Sequence, residues 1–219
     1  MPSSPPDAGD RAAVRLLLAL AWANVALHGA GLVAAWLWMR PGSVVSPLAE
    51  RIAYLAGRPL GWTLGWGLWM LCTLLLVAYM AALRLLVPGR SLAAQLALVF
   101  TAAGMAIDLL ADAVQIQVLP LAARSGQPLF LAFERLALTG GATVANGLYT
   151  AGVLLMASAL GSLIGRPARL AGAATVASGA VMTLSGLLPS PVLLAASTGP
   201  TIGFYCLWAV LVARDLKLP

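Results

Sequence analysis

Six long apolar stretches, separated by short connections rich in Gly, Pro, Ser and Arg, make up most of this chain of 219 residues. Each reaches the roughly 20 residues that a helix needs to cross the hydrocarbon core of a bilayer. The pattern predicts spans over residues 12–39, 59–86, 91–119, 129–163, 168–188 and 192–213, and hence an all-α, six-helix membrane bundle forming one domain over 11–219. The apolar run from Ala12 is too long for the core of a cleaved leader and reads as a retained first span. Before it, the Pro/Ser-rich residues 1–10 are expected to form a disordered tail ending at a candidate N-cap, Asp10. Between the first two spans, Leu48, Ile52 and Leu55 face one way and Glu50, Arg51 and Arg58 the other, which predicts a short amphipathic helix in the membrane interface.

The polar positions that interrupt these spans carry most of the remaining information. Residues 101–120, TAAGMAIDLLADAVQIQVLP, place Asp108, Asp112 and Gln115 on one helical face, with Gln117 opposite. An ionised side chain facing lipid at the bilayer centre costs at least about 2.5 kcal/mol, so two carboxylates one turn apart require a protein partner, water or protonation. Asn24 and His28 share a face of the first span with Gly31 and Ala35. In the second, Trp62, Trp66, Trp69 and Thr73 form a stripe beside a Gly61/Gly65 small-residue pair. Trp62 reads as an interfacial anchor, and Trp66 and Trp69 as walls of a cavity.

The fourth span carries Glu134 near its start. With the regular turn of an α-helix, Arg135, Thr139, Thr143, Asn146 and Thr150 fall on one side of it as a polar stripe. Gly172, Gly179 and Gly186 mark the fifth span as a close-packing helix. The Thr198-Gly199-Pro200 sequence predicts a break in the sixth that frees a carbonyl near Ala196, with Tyr205 beyond it.

Composition and charge narrow the setting. The chain is 61% hydrophobic and 9% charged, with a mean hydropathy of +0.94, far from the roughly 25% charged residues of soluble domains. Its net charge of +6 resides in short connections, so it reports topology and gives no sign of nucleic-acid binding. Eight cations fall at one set of span ends, led by Arg11, Arg15, Arg84 and Arg90, and the last opposite connection has none. The positive-inside tendency then places both termini in the cytoplasm. Ala, Leu and Arg dominate over Lys, which points to a bacterial inner-membrane protein. At about 1.5 Å per residue, His28 and Asp108 both lie about 24 Å from the inner face, and Glu134, Trp66 and Pro200 also fall in the outer half.

The expected ligand-binding set is therefore Asn24, His28, Trp66, Trp69, Asp108, Asp112, Gln115, Glu134, Arg135, Asn146 and Tyr205. It suits a pocket for a small cationic or amphipathic molecule, or proton exchange between His28 and the carboxylates. A divalent-metal set of His28, Asp108, Asp112 and Glu134 has suitable atoms. A competing arrangement pairs Arg135 or Arg124 with Asp112 or Glu134. A single His excludes bis-histidine haem within one subunit, and Cys72 and Cys206 lie inside apolar spans with no disulfide or zinc spacing. No hydrolase, phosphate-loop or metalloprotease motif is present, and no particular cofactor is implied.

Six spans, both ends inside and an outward pocket resemble in outline the substrate-binding components of vitamin transporters. Ala19 and Ala23 add a small-residue pair for a membrane partner subunit. That likeness is architectural and rests on no motif. The leading expectation is small-molecule binding or transport. Its alternatives are a membrane-embedded enzyme acting on a lipid or quinone-like substrate, and a structural or signalling subunit.

Overall fold

The computed structural model describes residues 8–89, 91–188 and 190–216, with side chains from Ala12 onward. Most of the tail over 1–10 lies outside these residues, as do Arg90 and Lys217. Its last three positions already belong to the first helix, so Asp10 sits within that helix instead of capping it. The helices are α1 (Ala8–Ala34), α2 (Leu48–Ala56), α3 (Leu60–Leu86), α4 (Leu92–Ala113), α5 (Leu119–Ser125), α6 (Gln127–Leu138), α7 (Asn146–Leu160), α8 (Arg166–Leu187) and α9 (Pro191–Asp215). Among the described residues, three π-helical segments extend or join them. Ala35–Met39 continues α1, Val114–Val118 links α4 to α5, and Thr139–Ala145 links α6 to α7.

Taken as continuous rods, six helices among the described residues are long and apolar enough to cross a bilayer. They are Ala12–Gly42, Leu60–Leu86, Leu92–Ser125, Gln127–Leu163, Arg166–Leu187 and Pro191–Asp215. The third outruns its predicted end because Pro120 falls in the first turn after a π segment, where a missing N–H is tolerated. The sixth is not broken. Pro200 lies inside one continuous helix. Local hydroxyls bond its carbonyls, Thr198 to Leu194 at 2.7 Å and Thr201 to Ser197 at 2.8 Å.

Short connections make sequential spans antiparallel neighbours. They pack in chain order, α1 on α3, α3 on α4, α4 on α7, α7 on α8 and α8 on α9, and α9 closes back on α1. The result is a ring, to whose interior each span presents one face. Its outer surface carries Leu60, Leu85, Leu110 and Val192, all strongly exposed. So much apolar side chain on the outside suits lipid and not water. This is the architecture of a multi-pass membrane protein.

Two packed regions close the ring at its ends. Leu17, Tyr79, Met80, Leu83, Met156 and Trp208 fill the end nearer the termini. Met39, Leu55, Trp62, Leu119 and Phe130 fill the other. The helix expected between the first two spans is present as α2, which packs on α5. Trp62 proves not to be a lipid-interface anchor. It is buried, and its indole N–H donates to the Gln115 carbonyl at 2.7 Å.

The glycines of α8 explain how spans four and five approach so closely. A Cβ at Gly179 would strike Thr150, and one at Gly186 would strike Thr143. Both pairs are seven residues apart, as antiparallel helices in register require. Gly186→Ala is expected to lower stability by about 1–3 kcal/mol through overpacking. Thr143→Ala added to it should recover most of that loss, as read by thermal unfolding in detergent.

Candidate functional site

Between the two packed ends the ring holds a partly open cavity of about 320 Å³, lined by residues from all six spans. Its wall on α9 runs from Leu194 to Tyr205, three turns of helix. The first span contributes His28; the second, Trp66, Trp69 and Thr73; the third, Asp108, Asp112 and Gln115. The fourth adds Asn146 and Tyr149, the fifth Thr175, and the sixth Thr198, Thr201 and Tyr205.

Asp108 joins three helices. One of its oxygens, Oδ2, accepts from the Thr73 hydroxyl on α3 at 2.8 Å and from the Tyr149 hydroxyl on α7 at 3.1 Å. Gly104 on α4 makes room for that tyrosine, because a Cβ there would come within 2.7 Å of its ring. Asp112 lies one turn further along and is 3% exposed. Its Oδ2 is buried and has no hydrogen-bond partner, and the same holds for Nε1 of Trp66. Among the described residues no Arg or Lys lines this cavity. Its electrostatic character is thus set by two carboxylates and the dipoles around them.

His28 sits in the same cavity without touching either carboxylate. Its Nδ1 lies 2.9 Å from the Asn24 carbonyl. A carbonyl only accepts, so Nδ1 carries the proton and Nε2 is left to the cavity. The ring stands edge-on to Trp69 and tilted against Tyr205, with centroids 6.2 and 5.5 Å away. A direct His28–carboxylate proton relay therefore has no hydrogen bond to run through among the described residues.

Of the expected set, His28, Trp66, Trp69, Asp108, Asp112, Gln115, Asn146 and Tyr205 are brought together here, and three are not. Asn24 is wholly buried outside the cavity, donating to the Leu20 carbonyl at 2.9 Å and accepting from the Tyr205 hydroxyl at 3.0 Å. Glu134 and Arg135 line a separate cavity of about 370 Å³, beside Arg51, Ser185 and Ser190. Leu138, Ala142 and Leu194 border both spaces.

Glu134 does not pair with Arg135 or Arg124, as the competing arrangement had it. Its partner is Arg51 of α2, through Nε–Oε1 and Nη2–Oε2 bonds of 2.9 Å each. Arg124 instead donates to the Ala56 carbonyl at 2.7 Å. The four-residue metal set is not assembled either. Among the described residues no three His, Cys, Asp or Glu side chains gather in ligating positions.

The polar stripe of the fourth span is divided for a helical reason. The π segment Thr139–Ala145 has a wider turn than an α-helix and resets the phase between its two halves. Arg135 and Thr139 thus face the second cavity, Thr143 meets Gly186, and Asn146 and Thr150 face the first. Asn146 also donates across to α8, to the Gly179 carbonyl at 2.7 Å and the Thr183 hydroxyl at 2.9 Å.

Sequence reasoning passed over Tyr149, Thr175 and Thr201. Tyr149 was findable, since it lies one turn beyond Asn146 on the same face. No protein-family model, no curated protein and no solved structure matches this chain, so the likeness to vitamin-transporter components rests on outline alone.

Proposed function

We propose that this protein binds and transports a small cationic or amphipathic molecule through the cavity inside its ring. In this reading both termini are cytoplasmic, α2 lies in the outer interface of a bacterial inner membrane, and the site occupies the outer half. One observation carries it: Asp108 and Asp112 line one cavity with no lining Arg or Lys to neutralise them among the described residues. Carboxylates at membrane depth are costly, and a cationic ligand offsets that cost where the protein supplies no cation of its own. The walls suit such a guest. Trp66, Trp69, Tyr149 and Tyr205 give the cavity an aromatic wall for a cation and apolar area for its body. The volume falls at the lower end of the range of small-molecule sites.

Acid–base catalysis in this cavity would need His28 within hydrogen-bond reach of a carboxylate. Its bond to Asn24 favours binding over catalysis.

The test is saturable binding of aromatic ammonium ions and tetraphenylphosphonium to the purified full chain, followed by uptake into proteoliposomes. Neutralising both carboxylates, Asp108→Asn with Asp112→Asn, is expected to weaken binding roughly thirty-fold or more and to stop uptake. If no cation in that panel binds saturably to the wild type, the reading fails.

A further inference from the structure

Two buried polar atoms on residues of the cavity wall lack protein partners and are complementary. Asp112 Oδ2 is an acceptor and Trp66 Nε1 a donor. They lie on neighbouring antiparallel helices whose register is fixed above and below them. On one side the Trp62 indole bonds the Gln115 carbonyl at 2.7 Å; on the other the Thr73 hydroxyl bonds Asp108 at 2.8 Å. Trp66 follows Trp62 by four residues and Asp112 precedes Gln115 by three. Counted from the first bond the two are displaced by about 6 and about 4.5 Å, and from the second by about 10.5 and about 6 Å, so they lie within one helical turn of the same level. Trp66 is also held in orientation by an edge contact with Trp62, centroids 5.6 Å apart.

We infer that the ligand is a protonated amine bearing at least one N–H, with a hydroxyl, ether or carbonyl oxygen near it. The N–H bonds Asp112 and the oxygen accepts from Trp66. This rests on the binding reading above and narrows it. Buried polar groups in native proteins are nearly always satisfied, so an orphan donor and an orphan acceptor within a turn of one level in the same wall describe what their partner must present. A quaternary ammonium has no N–H for Asp112 and no lone pair for Trp66. A bare metal ion needs a shell of oxygen or nitrogen ligands that the described residues do not assemble. Asp108 has a different part: both its donors come from the protein, so it positions helices and adds negative charge while Asp112 makes the contact.

The experiment compares three probes by isothermal titration calorimetry on the detergent-purified full chain. They are 2-phenylethylammonium, its N,N,N-trimethyl derivative and 2-hydroxy-2-phenylethylammonium. The wild type is expected to prefer the primary to the trimethylated ion by about tenfold, as a charge-assisted hydrogen bond implies. That ratio should fall to near unity in Asp112→Asn. The hydroxyl should add a further several-fold gain that disappears in Trp66→Phe. Because each readout is a ratio between probes on one variant, a partly unfolded preparation does not alter it. Equal binding of the primary and trimethylated ions, or a preference that survives Asp112→Asn, would show the two atoms to be met by water and overturn the amine assignment alone. Absence of saturable binding by all three would overturn it together with the reading it rests on.

Discussion

Glu134→Leu is expected to lower the stability of the purified protein by about 3 kcal/mol, and Arg51→Met by a similar amount. The two side chains form a forked ion pair with only 11% of each exposed. Arg51 uses its remaining Nη1 on the Ser46 carbonyl at 2.8 Å, so the whole guanidinium is committed. Removing either partner leaves the other charge at a site built for two. Removing both is a different matter, since paired buried charges contribute little beyond what apolar groups of similar size would. Arg51→Met with Glu134→Leu should therefore recover most of the loss, in thermal melts of all three variants. Additive losses in the double variant would show that the two residues act independently. The pair matters to the site because it ties α2 to the start of the fourth span, beside the wall that borders both cavities.

Asp112→Asn and Asp108→Asn should move stability in different directions, although the residues lie one turn apart. Asp108 receives hydrogen bonds from Thr73 and Tyr149, which hold spans two, three and four together. Weakening that junction is expected to cost about 1–3 kcal/mol. Asp112 Oδ2 gives the unliganded fold no bond. A buried carboxylate without a partner is a burden on the fold, so its removal should leave the protein at least as stable as the wild type. Melting temperatures without ligand decide the matter. A comparable loss for both variants would mean that Asp112 has a structural partner, and would remove the reason for assigning it to a ligand.

Much of the site's membership was legible before its arrangement was. Asp108, Asp112 and Gln115 are the wrong residues for lipid and sit at helical spacing, so their shared face follows from local geometry. The same logic placed Trp66 and Trp69 together. It failed at Glu134, whose partner Arg51 is 83 positions distant in the chain and reaches it only because α2 folds down onto α5. It failed again at Arg135, because a constant turn per residue does not hold through a π segment. Trp62 was misread because its hydrogen-bond acceptor is a backbone carbonyl, which has no signature in sequence.

By itself, then, the sequence determined the number of spans, their approximate lengths and the identity of the residues that lipid would not accept. Hydrophobic length and residue type are properties of each segment alone. Only the tertiary structure decided the rotation of each rod, the closing of the sixth span on the first, and the division of polar groups between two cavities. Those outcomes depend on which side chains interlock across neighbouring helices, as Gly179 does with Thr150 and Gly186 with Thr143, and no single segment contains that information.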